Sequence, residues 1–96
     1  MITVASVSSM GGACPWQLEG LTSDNQHVYA RYRGGRVAVY VGTEYPIPAH
    51  RVFELRFGHY LAGSLNGATL AALTKDVLTW PAQVVGDGEV IKEDET

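Results

Sequence analysis

The stretch His27-Val-Tyr-Ala-Arg-Tyr-Arg33-Gly34-Gly35-Arg36-Val-Ala-Val-Tyr-Val-Gly42 decides the fold. Two runs rich in valine, tyrosine and arginine flank a glycine pair. Both central residues of a type I′ turn need positive φ, which glycine adopts without steric cost. The pair therefore predicts a hairpin with strands over His27 to Arg33 and Arg36 to Val41. The turn also fixes the register: Arg33 faces Arg36, Arg31 faces Ala38, and Tyr29 faces Tyr40. On the other side Tyr32 meets Val37, Ala30 meets Val39 and Val28 meets Val41. That second side is apolar and reads as core. The first presents His27, Tyr29, Arg31, Arg33, Arg36, Ala38 and Tyr40. A slip of one residue would exchange the two sides, so pattern and turn support one register.

Upstream, Trp16 to Thr22 (WQLEGLT) alternates, with Trp16 and Leu18 on one side and Gln17 and Glu19 on the other. Ser23-Asp24-Asn25 is turn chemistry, and asparagine tolerates the positive φ that ends a three-residue hairpin loop. Such a loop sets Leu18 beside Ala30, Trp16 beside Tyr32 and Glu19 beside Tyr29. The three segments make an antiparallel meander. Ile2 to Met10 alternates less regularly and reads as an edge strand.

Downstream, Pro46 and Pro48 in Gly42 to His50 forbid central-strand pairing. Arg51 to Phe57 (RVFELRF) alternates again, with Val52, Glu54 and Arg56 on one side and Phe53, Leu55 and Phe57 on the other. Ser64 or Asn66 can cap a helix. Leu70, Leu73, Val77 and Trp80 then fall on one helical stripe that ends at Pro81. Gln83 to Ile91 offers a last strand. The expected fold is α+β: a small, mostly antiparallel sheet, with the three-strand meander plus one or two strands, packed by one α-helix. Its core is expected to contain Trp16, Leu18, Tyr32, Val37, Val39, Leu70, Leu73, Val77 and Trp80.

The chain has 96 residues, enough for one small domain with a thin core. Its net charge of -3 is uneven. Residues 87–96 hold five acids against Lys92, while residues 1–86 carry six bases against five acids. The expected division is a single domain over 1–86 and an acidic tail over 87–96. Such a tail is either solvated or held by a basic patch. One cysteine excludes an internal disulfide and points to a reducing compartment. With no apolar run of membrane-spanning length and no signal-peptide pattern at the start, the expected location is cytoplasmic.

Candidate chemistry is sparse. His27, His50 and His59 lack metal-ligand spacing, so no metal is expected. Cys14 sits between glycines and a proline and reads as a small, part-buried loop residue beside Trp16. The glycine pairs match no phosphate-binding loop, and Glu44 and Glu54 show no pairing. No cofactor and no catalytic residue are expected. One constellation remains: Arg31, Arg33 and Arg36 with Tyr29 and Tyr40 on one side of the hairpin. Arginines directly opposite each other repel, and an anionic partner relieves them. Arginine and tyrosine are also the types enriched at interface hot spots. The plain alternative is a solvated hairpin tip whose arginines keep the edge soluble.

Cys14-Pro15-Trp16-Gln17-Leu18-Glu19-Gly20, then Tyr29 to Arg33, Val37 to Gly42 and Leu70 to Pro81, resemble segments of small uncharacterised proteins of actinobacteria and their phages. The resemblance implies a short accessory protein of phage or prophage origin and carries no activity onto any residue. The leading expectation is thus a non-enzymatic interaction module. It would bind an unidentified protein, one of the host cell or a further copy of itself, through an exposed Tyr29/Arg31/Arg33/Arg36/Tyr40 face. The runner-up is single-stranded nucleic acid or another anionic ligand on the same hairpin, with the acidic tail competing. A pI of 5.4 and a near-neutral body count against nucleic acid.

Overall fold

The computed structural model describes residues 1–95; Thr96 and the side chain of Glu95, both in the acidic tail, lie outside the described part. Six strands form one sheet. They are β1 (Ile2–Gly11), β2 (Trp16–Thr22), β3 (His27–Arg33), β4 (Arg36–Gly42), β5 (Arg51–Arg56) and β6 (Leu78–Thr79), in the spatial order β5-β4-β3-β2-β1-β6. Two short helices, α1 (Gly67–Leu73) and α2 (Ala82–Val85), complete a broadly α+β domain. The sheet curls into a half-barrel.

The hairpin has the register its glycines dictate, with Gly34 and Gly35 at φ of 63° and 71°. The loop before β3 closes with Asn25 at φ of 66° and a bond from the Thr22 amide to the Gln26 carbonyl. Along β2 and β3, Trp16 faces Tyr32, Leu18 faces Ala30 and Glu19 faces Tyr29.

Elsewhere the structure corrects the sequence reading. The first strand is not an edge. It pairs antiparallel with β2 along most of its length and parallel with β6 at Ile2 and Thr3, which makes the sheet mixed. The helix is also shorter than its stripe. The chain leaves helical geometry at Thr74, whose Oγ1 bonds back to the Leu70 carbonyl and accepts from the indole Nε1 of Trp80. A threonine that satisfies both its own backbone and a tryptophan favours a turn over another helical residue. Val77 and Trp80 therefore pack from a turn and a loop. The last expected strand is also replaced, since Gln83 to Val85 belong to α2.

The core lies between the sheet and the two helices. Leu18, Tyr32, Val37, Val39 and Leu70 are fully buried and Trp16 nearly so, joined by Val28, Leu78 and Val84. Leu73, Val77 and Trp80 are half-buried against this cluster. Asn66 caps α1, its Oδ1 accepting from the amide and hydroxyl of Thr69. The start of the acidic tail is bound here too. Asp87 Oδ2 accepts from the Gly67 amide, the Glu89 carbonyl accepts from Asn66 Nδ2, and the Ile91 amide donates to Thr69 Oγ1.

Candidate functional site

The sheet face away from the helices is ordered by cross-strand register. Arg33 of β3 faces Arg36 of β4, and Arg36 faces Arg56 of β5, so three guanidinium groups form one row. Two residues along, Gln17, Arg31, Ala38 and Glu54 form the next row, from β2 to β5. The third row is Glu19, Tyr29, Tyr40 and Arg51. Its last member is brought there by an irregularity between Val39 and Tyr40 in the β4–β5 pairing. The members of these rows other than Gln17, Glu19 and Tyr29 line a groove of about 480 Å³, which Tyr60 also bounds. Every arginine of the chain lies on it.

Glu54 is the one carboxylate among the lining residues. Its Oε2 accepts from Arg51 Nη1 at 3.0 Å and lies 3.9 Å from Arg36 Nη1. Among the described residues, Arg31, Arg33 and Arg56 have no ion pair. Fork-shaped donors held this densely match carboxylate or phosphate oxygens. Among the described residues, no group of three His, Cys, Asp or Glu side chains is close enough to hold a metal ion.

The tyrosines are placed differently from the exposed pair expected. Tyr29 is buried and only Tyr40 is partly accessible. The Tyr29 hydroxyl donates to Gln17 Oε1 at 3.2 Å, and its ring lies 6.2 Å from that of Tyr40, tilted by 37°. Burial raises the Tyr29 phenol above its ordinary pKa, with Glu19 and Tyr40 adding to the shift and Arg31 opposing it. Glu19 pairs with Tyr29 across β2 and β3, and Gln17, one row away, accepts from its hydroxyl.

The hairpin tip is likewise not a free tip. The Gly35 amide donates to the Ala62 carbonyl, and the Phe57 amide donates to the Gly35 carbonyl. A Cβ at Gly35 would lie 2.6 Å from the His59 carbonyl oxygen. Tyr32 adds a further tie, its hydroxyl donating to the Phe57 carbonyl at 2.6 Å. The segment after β5 thus folds across the turn and delivers Tyr60, 68% exposed, to the groove.

Sequence reasoning missed Arg51, Arg56 and Tyr60 as members of this site. Alternation in RVFELRF does put Glu54 and Arg56 on one side. The irregular Gly42 to His50 segment hides which strand that side adjoins, and nothing local marks the bend in register that admits Arg51. None of the histidines lines the groove, although the His59 ring lies 4.4 Å from that of Tyr60. His27 packs against Tyr45, with ring centroids 5.0 Å apart, while His59 Nδ1 accepts from the Leu61 amide. Cys14 is exposed, at φ of 51°, where the sequence suggests a part-buried residue. No helix among the described residues is long and apolar enough to cross a membrane. Compared with protein-family models, curated proteins and solved structures, the chain matches none.

Proposed function

We propose that the protein is a non-enzymatic, cytoplasmic interaction module whose arginine groove holds an acidic segment of a partner protein. One observation carries the reading: all five arginines, scattered from position 31 to 56, converge on one groove with a single carboxylate among its lining residues. Like charges set opposite one another are destabilising, and an anion in the groove relieves that repulsion. Guanidinium serves binding better than proton transfer, because it stays charged across the ordinary pH range. The resemblance to small actinobacterial and phage proteins points to the same accessory kind of role, with a host protein as partner.

Single-stranded nucleic acid is the second reading, favoured by the exposed ring of Tyr60 at the groove. The protein partner is preferred because stacking needs open ring faces, and Tyr29 is buried while Tyr40 is only partly accessible.

The test is a titration by fluorescence anisotropy with two labelled probes, a glutamate-rich peptide and a single-stranded oligodeoxynucleotide. The wild type is run beside the double variant Arg33→Gln/Arg56→Gln. Saturable peptide binding lost in the variant supports the proposal. Tighter oligonucleotide binding with a steep salt dependence supports the second reading. Binding of neither probe, or equal binding by the variant, refutes both. Truncation after Gly86 is a poor probe of the tail, since it removes the Asp87 and Ile91 bonds to α1. Glu93→Gln/Asp94→Asn tests whether the tail competes for the groove while keeping that packing.

A further inference from the structure

We infer that two copies of the chain pair antiparallel along the outer edge of β5, with Leu55 on the two-fold axis. In the described sheet β5 ends one side and has β4 alone as neighbour. The Phe57 amide donates to the Gly35 carbonyl, so Phe57, and by alternation Leu55 and Phe53, turn their backbone groups toward β4. Glu54 and Arg56 therefore turn theirs outward, where no further strand of the described sheet receives them.

An open edge of six residues is a template for another strand, and proteins commonly guard such edges with charge. Here the charges have opposite sign and stand two positions apart. Setting Leu55 opposite Leu55 of the second copy sets Glu54 opposite its Arg56, and Arg56 opposite its Glu54. Both residues are outward-facing, so each of these pairs is also backbone hydrogen-bonded. Shifting the axis to Glu54 or to Arg56 sets like charges face to face. Shifting it to Phe53 leaves both charges without a partner. One register is thus self-complementary in charge.

The side chains agree with that register. Among the described residues Arg56 has no ion pair within its own chain. Glu54 bonds Arg51 and approaches Arg36 through Oε2, leaving Oε1 for a guanidinium from outside. On the opposite side Leu55 is 39% exposed although it sits in the apolar row with Val37, and pairing would cover it with its own symmetry mate. The two sheets would become one, with both arginine grooves on the same surface.

The experiment is sedimentation velocity on the full chain over a concentration series. The wild type is expected to show a monomer–dimer equilibrium. Glu54→Arg makes both facing positions basic and Arg56→Glu makes both acidic, so each variant alone is expected to dimerise at least tenfold more weakly. An equimolar mixture of the two restores both opposite-charge pairs and is expected to recover the dimer. Leu55→Lys puts two ammonium groups on the axis and abolishes it, at a position whose exposure keeps the fold safe if Glu54→Arg does not fold. A wild type that stays monomeric, a mixture that stays monomeric although both variants fold, or a dimer that survives Leu55→Lys overturns the inference.

Discussion

Arg36 of β4 stands opposite Arg56 of β5, on the flank away from Arg33. The middle arginine therefore repels a neighbour on each side, against one distant contact with Glu54 at 3.9 Å. An exposed pair of that length contributes little, whereas like charges directly opposite each other are destabilising. Arg36→Gln is expected to raise unfolding stability by about 0.5 kcal/mol at low ionic strength. The gain should shrink as salt screens the wild-type repulsion. Urea denaturation at two salt concentrations reads this, and a variant less stable than wild type at low salt would show that the row is not strained.

Asn66 joins the helix start to the tail, and its two amide atoms divide the work. Oδ1 caps Thr69, while Nδ2 donates to the Glu89 carbonyl at 2.7 Å. Asn66→Asp keeps the cap and loses the donor; Asn66→Ala loses both. The alanine variant is expected to lose about 1–2 kcal/mol. The aspartate variant should lose less while still loosening residues 89–91, seen as faster amide exchange at Ile91. Equal effects of the two variants would mean that the cap carries none of the difference.

Tyr29 is expected to steepen the loss of stability at alkaline pH. Burial raises its pKa above the ordinary 10.0, so the folded state holds the phenol proton more tightly than the unfolded chain does. This contribution is present below the ordinary value and is lost as pH rises through the folded-state value. Tyr29→Phe removes it, together with the bond to Gln17. The wild type should therefore lose stability more steeply than the variant above pH 10.0. Parallel decline of the two urea midpoints would remove Tyr29 from the alkaline response.

The parts of this fold legible in the sequence are those set by neighbours in the chain. Gly34-Gly35 and Asn25 fix their turns through φ alone, and with them the pairing of β2, β3 and β4. What escaped depends on distant partners. Leu70, Leu73, Val77 and Trp80 keep helical spacing, but Thr74 ends the helix because Trp80 and the Leu70 carbonyl both use its hydroxyl. The two-residue β6 exists because β1 offers it a partner. The site follows the same division. Arg31, Arg33 and Arg36 were readable from one hairpin, whereas Arg51 and Arg56 joined them through a strand pairing that no turn specifies.

Gly20 is where two of these distant relationships meet. It pairs with Val28 on one side and Val7 on the other, and it is buried. The β1–β2 register shifts between Val4 and Ser6 and again between Val7 and Ser9. Between these shifts the Ser6 backbone lies against Gly20, so a Cβ on Gly20 would overlap the Ser6 carbonyl oxygen. That obstacle is backbone and cannot swing aside as a side chain would. Gly20→Ala must push β1 outward, and β1 carries β6 and the Ile2 amide bond to the Val77 carbonyl. The expected cost is about 2–3 kcal/mol, at the upper end for overpacking. Amide protection should fall first along β1, while the β3–β4 hairpin, pinned by its own turn and by Phe57, keeps its protection longer. A loss below about 0.5 kcal/mol, the range of ordinary surface substitutions, would mean that β1 can move away from β2 without disturbing the core.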